Sequence, residues 1–213
     1  SETFSRYMPR RGGDTPVPAR PDVLRQAMAE ASKPVLQIEI KSLRAQNRSL
    51  YPELPLEHWF DQLLAHGFQR QVILHRRNGL RRLVSHLMAQ RSGVFVQSAE
   101  EPLVQRPLLF IDTSAIQEGT ETHDLLHWLD LYATTHQQLV EALQQFCGAQ
   151  GLPAPLQLVY EESLEADPQV AYRQLCVWLE LELEPVTLLH RRINPEPLPQ
   201  LIANWEEICG LVE

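Results

Sequence analysis

Short apolar segments alternate along this chain with longer segments in which apolar residues recur every three or four positions. The short segments are too brief for helices and are interpreted as β-strands at 35–41, 71–75 and 156–160. The longer segments are interpreted as amphipathic helices at 23–31, 56–66, 78–92, 168–179 and 197–211. Strands that alternate with helices form a parallel sheet covered on both faces, and such sheets bind ligands at the carboxyl ends of their strands. The predicted fold class is therefore α/β.

The helix over 78–92 has the clearest pattern, because Asn78 is a good capping residue and Gly93 is a typical helix end. Residues 108–112 are interpreted as a short strand or an extended lead-in. A long helix is expected to begin at Thr120 or Thr122 and to end near 150. The inward face of the helix over 78–92 is expected to comprise Leu80, Leu83, Val84, Leu87 and Met88.

Length and composition predict one domain that spans 1–213. With 213 residues, of which 44% are hydrophobic, the chain is long enough for one full core and too short for two comfortable domains. Residues 1–21 contain four prolines, two glycines and no apolar period, so we expect a loop there.

The charge pattern excludes some classes of partner. A net charge of −8 argues against a protein whose main partner is bulk nucleic acid.

No segment has the roughly 18 apolar residues of a membrane-spanning helix, so we expect no such helix. The three cysteines are too few and too widely spaced for a disulfide scaffold, which favours a reducing, cytoplasmic location. Six arginines nevertheless lie between positions 70 and 91, which suits a small anionic ligand.

A binding site for such an anion is predicted where the strand at 71–75 passes into the next helix. Arg77 follows the strand, and the free amides and positive dipole end of the helix favour an anion. Arg81 and Ser85 follow Arg77 at successive steps of four residues, so all three can address one side. An arginine fork and a hydroxyl suit a phosphate group. The alternative is that the arginines form a solvated face and Ser85 packs without a ligand.

These residues resemble the sulfotransferases that use 3′-phosphoadenosine-5′-phosphosulfate as donor. In that family an arginine after the strand, often followed by asparagine, and a serine eight residues later bind the 3′-phosphate of the donor. Arg77, Asn78 and Ser85 have this spacing. Arg81 is a further candidate for the same phosphate.

Two more segments resemble the same family, and the three occur in the family's order. Residues 158–168 are similar to its strand that ends in a Tyr-Glu-acidic sequence; Glu161 and Glu162 could be paired general bases, but the resemblance makes the segment mainly structural. Residues 191–208 are similar to the tail of a bacterial branch related to nodulation, glycolipid and tyrosyl-protein sulfotransferases. By that resemblance Arg191 or Arg192 closes over the donor phosphates, and the alternative is a basic pair on the surface.

The resemblance implies a P-loop-NTPase-like three-layer α/β/α fold with a central parallel sheet, from which the first strand and its phosphate-binding loop are missing. It implies transfer of a sulfonate group to an acceptor hydroxyl, for which we expect a carbohydrate or a lipid, with no metal. Glu2 resembles the catalytic base of some members, and Lys41, after a strand, lies where the family often has a lysine near the sulfonate. Without the phosphate-binding loop, we expect little transfer by this chain alone.

Several alternatives remain open. A non-catalytic relative would bind a nucleotide or a partner protein with the same framework. A small-molecule kinase would need a Lys-containing phosphate loop and a magnesium-binding aspartate. His123 and His127, four apart with Asp124 beside them, could share a metal, although a third ligand is not evident. Amphipathic helical faces could support a homodimer, although packing into the core explains them first.

Overall fold

The structure of the protein is a computed structural model. It describes the positions 22, 25, 26, 29 and 30 and the ranges 56–95, 97–101, 107–118, 121–190 and 192–212. The chain divides into two compact units, one comprising the residues up to Val72 together with Gln138–Pro155, and the other comprising Ile73–Gln137 and the residues from Leu156 onward. The loop predicted over 1–21 and the strand predicted over 35–41 lie outside the described residues.

The described residues form a mixed α/β structure. Its elements are α1 (Leu56–Ala65), β1 (Val72–His75), α2 (Gly79–Ser92), β2 (Ile116–Glu118), β3 (Glu121–His123), α3 (Leu125–Ala149), β4 (Leu156–Val159), α4 (Tyr160–Ser163), α5 (Pro168–Leu179), a 3₁₀ turn (Leu198–Gln200) and α6 (Trp205–Val212). β1 pairs with β4 in a small parallel sheet, and β2 pairs with β3 as an antiparallel hairpin. Helices and a parallel strand pair confirm the predicted α/β class.

Helix α2 confirms its predicted boundaries through both of its caps. The Asn78 side-chain oxygen accepts a hydrogen bond from the backbone N–H of Arg81 at 2.8 Å, which satisfies one of the free amides at the start of the helix. At the other end Gly93 adopts a left-handed conformation with φ of 69°, and its N–H donates to the carbonyl of Ala89. Helix α5 also begins where the sequence predicts, with Asp167 as its cap.

The long helix begins later than predicted. Glu121–His123 is the second strand of the hairpin, so Thr122 does not open the helix, and Thr120 lies outside the described residues. The first residue of α3 is Leu125, and the Asp124 carboxylate accepts a hydrogen bond from the backbone N–H of His127 at 2.7 Å. The polar triplet Glu121–His123, with the β-branched Thr122 at its centre, therefore extends and pairs before the cap, which the helical periodicity did not reveal.

Two other predicted elements are shorter in the structure. Of the segment 108–112, only Leu109 makes a strand-like contact, a single parallel bridge to Ile202, so the segment is an extended lead-in. The terminal helix starts at Trp205. The side chain of the preceding Asn204 accepts a hydrogen bond from the backbone N–H of Ile111 at 3.1 Å and donates one to the backbone carbonyl of Ile111 at 2.8 Å. These bonds hold the tail in an irregular turn.

Strand β1 is buried on one face. Ile73 is 5% exposed, but its neighbours Val72 and Leu74 are 42% and 55% exposed. Alternate side chains of a strand point to opposite faces, so this pattern means that one face of β1 is open.

The core of the second unit is built around α2. Leu83 and Val84 have no exposed surface, and Leu87 is partly buried, so the predicted inward face of α2 is confirmed. Residues distant in sequence complete this core, among them Ile111, Ile116, Leu125, Trp128, Tyr132, Ile202 and Ile208. In the first unit, Phe60 of α1 packs against Phe146 at 5.4 Å between ring centroids.

Leu83→Ala should lower the free energy of unfolding by about 2–5 kcal/mol, because removal of this fully buried side chain would leave a cavity in the core around α2. Leu126→Ala makes the same chemical change at a side chain that is 51% exposed, and should stay within about 0.5 kcal/mol of the unchanged protein. Urea denaturation followed by circular dichroism measures both. Equal effects of the two substitutions would contradict this description of the core.

Candidate functional site

The carboxyl ends of β1 and β4 bring the first two resembling segments together. The strands pair in parallel, so both end at the same edge of the sheet. Arg76 and Arg77 follow β1, and the four-residue helix α4, which begins at Tyr160, follows β4 directly. An arginine-rich turn and an acidic turn thus lie side by side.

Glu161 joins these two turns through its carboxylate. One oxygen accepts the backbone N–H of Arg77 at 3.0 Å and the other accepts that of Asn78 at 3.1 Å. Partial burial acts to raise the pKa of this carboxyl group, but its backbone hydrogen bonds and the charge of Arg76 together lower the pKa on balance. The two backbone amides just before α2 therefore hold a carboxylate of the protein itself.

Arg77 directs its side chain to Glu162 rather than to Ser85. The guanidinium forms an ion pair with the Glu162 carboxylate, and the two side chains are 67% and 58% exposed. Exposed pairs of this kind contribute only about 0–1 kcal/mol, so either partner is free to exchange for another ion.

Ser85 is instead contacted by Arg76. The Arg76 guanidinium donates to the Ser85 hydroxyl oxygen at 3.0 Å, and its central carbon lies 3.9 Å from the centroid of the Tyr160 ring. Arg76 is not among the residues that the sequence pattern predicts for this site. Successive residues of an extended chain point to opposite sides, so only one of Arg76 and Arg77 can face Ser85, and spacing alone does not tell which.

Arg81 is buried and ties the tail of the chain to α2. It is 7% exposed, and its guanidinium donates to the backbone carbonyls of Asn194 and Glu196. Burial, followed by the charges of Arg192 and Arg76, lowers the pKa of Arg81, so these three arginines are electrostatic neighbours. Arg81 thus has a structural role that the resemblance did not imply.

Arg192 connects the tail of the chain to the acidic turn. Its guanidinium lies 2.5 Å from the Glu165 carboxylate, with 26% and 32% of the two side chains exposed. We call Arg76, Arg77, Arg81 and Arg192 the arginine cluster. Arg191, Glu2 and Lys41 lie outside the described residues, and their proposed roles stay predictions.

The arginine cluster has the chemistry of an anion-binding site. Arginine forks and a hydroxyl are the groups that bind a phosphate through charge-assisted hydrogen bonds. Each arginine already has an acceptor within the protein: the Ser85 hydroxyl for Arg76, carboxylates for Arg77 and Arg192, and carbonyls for Arg81. An arriving anion would exchange with these acceptors.

A stacked pair of histidines borders the site. The rings of His75, the last residue of β1, and His136 of α3 are 3.7 Å apart between centroids. Nδ1 of His75 is buried and has no hydrogen-bond partner. Burial is the largest cause that lowers the pKa of both imidazoles. The charge of Arg77 also lowers the pKa of His75, and the charge of Arg82 also lowers that of His136.

The second histidine pair is His123 of β3 and His127 of α3. The rings of His123 and His127 stack at 3.9 Å. Within the described ranges, no three His, Cys, Asp or Glu side chains are grouped so that they could hold a metal ion. None of the helices in those ranges is both long and apolar enough to cross a membrane.

Comparison of the chain with protein-family profiles, with curated proteins and with solved structures found no match.

The histidine pair predicts that stability falls in mild acid. Both imidazoles have a pKa below 6.5 in the folded state, so the unfolded chain takes up protons first as the pH drops. The free energy of unfolding should be at its full value above about pH 6.5 and should decrease below it.

Urea midpoints at pH 7.5 and 5.5 test this prediction. His136→Phe keeps a ring against His75 but removes one titrating group, so it should reduce the difference between the two midpoints. His58→Phe changes an exposed histidine and should leave that difference as it is. A midpoint that does not change with pH would contradict the prediction.

Proposed function

We propose that this chain is a sulfotransferase-type protein that binds 3′-phosphoadenosine-5′-phosphosulfate, and that the arginine cluster with Ser85 receives the 3′-phosphate. The proposal includes the P-loop-like three-layer α/β/α fold that the resemblance implies. The carrying observation is the convergence of the three resembling segments of the sequence, which are far apart in the chain.

That convergence consists of specific contacts. Glu161 of the second segment accepts the backbone amides that open α2 in the first segment. Arg81 of the first segment bonds the carbonyls of Asn194 and Glu196 in the third. Arg192 of the third segment pairs with Glu165 of the second. Three weak resemblances that meet at one place support a common function better than each does alone.

The cluster suits the 3′-phosphate of the donor for electrostatic reasons. A phosphate dianion offers several acceptor oxygens, and Arg76 with Ser85 already forms a hydrogen-bonded pair that could share one of them. Arg76 also lies against the Tyr160 ring, which restricts where its fork can point. A fork that is already oriented loses less side-chain entropy when the phosphate binds.

The reaction we propose is an in-line transfer of the sulfonate group. The bond between the sulfonate sulfur and the bridging oxygen of the donor breaks, and a bond from sulfur to the acceptor oxygen forms. The acceptor hydroxyl loses its proton to a base, for which Glu2 is the candidate, and adenosine 3′,5′-bisphosphate leaves. Lys41 is the candidate for charge neutralisation at the sulfonate, and the acceptor is proposed to be a carbohydrate or lipid hydroxyl.

The alternative function is a non-catalytic protein that binds a nucleotide or a protein partner. The observation that favours it is the internal pairing of the cluster, in which Glu161, Glu162 and Glu165 occupy positions that an anion could take. The two functions differ in whether a nucleotide with a 3′-phosphate displaces these carboxylates and in whether transfer follows.

Calorimetric titration with adenosine 3′,5′-bisphosphate tests donor binding. Binding should weaken about tenfold or more in Arg76→Ala, since a hydrogen bond to a charged group contributes about 1.5–3 kcal/mol. Ser85→Ala should weaken it about two- to tenfold, and Arg77→Ala should also weaken it. Adenosine 5′-monophosphate, which lacks the 3′-phosphate, should bind less tightly and should respond little to these substitutions.

Arg173→Ala is the matched control, because Arg173 is an exposed arginine on α5 that pairs with Asp167 at 3.4 Å. It should leave binding unchanged, and thermal melting should show that every variant is folded. Failure of the unchanged protein to bind the bisphosphate, or equal binding of the bisphosphate and the monophosphate, would overturn the proposed donor site.

A further inference from the structure

We infer that Glu162 and Glu165 compete with the ligand for the arginine cluster, so that an anion that engages Arg77 or Arg192 displaces the carboxylate paired with that arginine. This inference rests on the proposed function and adds a determinant of affinity and selectivity to the same site. It assigns a binding-related role to two acidic residues that are otherwise ordinary surface charges.

The backbone keeps both carboxylates beside the arginines. Glu161, the residue before Glu162, is fixed by its hydrogen bonds to two amides at the start of α2. The backbone N–H of Glu165 donates to the Tyr160 carbonyl at 2.8 Å, which closes the turn after α4. Because the turn is anchored at both points, Glu162 and Glu165 can release their arginines by side-chain rotation while the carboxylates stay close to the site.

The two pairs differ in strength. Arg77 and Glu162 are both more than half exposed, so water and salt weaken their attraction. Arg192 and Glu165 are only 26% and 32% exposed, so their attraction is screened less. We therefore expect Glu165 to be the stronger competitor.

Glu165 also offsets the repulsion among neighbouring arginines. The charges of Arg192 and Arg76 lower the pKa of the buried Arg81, and the charge of Glu165 acts in the opposite direction. Without an anion, three positive charges would face each other in a partly buried place. Glu165 supplies the compensating charge in the free protein, and a phosphate group would supply it in the complex.

Competition of this kind selects for highly charged ligands. An anion with a single charge replaces at most one carboxylate and gains little from the exchange. A phosphate dianion with several acceptor oxygens can engage more than one arginine at once, and the released carboxylates return to water. Because of the two glutamates, a ligand therefore needs more than a single negative charge to bind tightly at this site.

Replacement of the competing carboxylates by their neutral isosteres tests this inference. In calorimetric titration with adenosine 3′,5′-bisphosphate, Glu165→Gln should tighten binding about threefold or more and Glu162→Gln about twofold, in line with the strength of partly exposed ion pairs. The double variant should tighten it further and should lose part of its discrimination against adenosine 5′-monophosphate.

A control variant separates competition from a general loss of negative charge. Glu206→Gln removes one charge from the exposed side of α6, and it should leave affinity unchanged.

The outcomes distinguish this inference from the proposed function. If the unchanged protein binds the bisphosphate and Arg76→Ala weakens binding, but the folded Glu165→Gln and Glu162→Gln variants bind no tighter, the donor site stands and the competition is wrong. If neither the unchanged protein nor any variant binds, the proposed function fails and the inference fails with it.

Discussion

The contact on which the site depends is the carboxylate of Glu161 with the backbone amides of Arg77 and Asn78, the two residues just before α2. The opening amides of a helix have no partner within the helix, and the positive end of its dipole favours a negative charge there. Glu161 answers both requirements, with hydrogen bonds of 3.0 and 3.1 Å to Arg77 and Asn78. The same contact fixes the end of β4 to the end of β1, so it also decides which groups surround Arg76 and Arg77.

Features of the fold and of the site that depend on residues close in sequence were predictable, and those that depend on residues distant in sequence were not. The caps and the inward face of α2 depend on residues close in sequence, and Asn78, Gly93 and Leu83 lie where the pattern predicts. The start of α3 was wrong because strand pairing of 121–123 outweighed helical periodicity. The choice between Arg76 and Arg77 depends on which side of the extended chain Ser85 faces, and the contact of Arg81 with Asn194 links residues more than a hundred positions apart.

The chain has a net charge of −8, yet several arginines lie close together in it. The glutamates of the acidic turn after β4 offset the positive charge of these arginines. Each of the three glutamates of this turn has a different task in the structure. Glu161 binds backbone amides, Glu162 pairs with the exposed Arg77, and Glu165 pairs with the less exposed Arg192. The resemblance implied a mainly structural segment, which fits Glu161 best, whereas the other two glutamates contact arginine side chains that an anion could also contact.

Internal pairing does not by itself argue against ligand binding, because the magnitudes favour exchange. An ion pair as exposed as that of Arg77 and Glu162 contributes about 0–1 kcal/mol, and its carboxylate regains water when it is released. A charge-assisted hydrogen bond from an arginine to a phosphate contributes about 1.5–3 kcal/mol, and a phosphate can form several. Displacement of Glu162 from Arg77 therefore costs less than one arginine contact to a phosphate would contribute. The glutamates tune the affinity of such a site and keep its arginines in place, but they are too weak to close it.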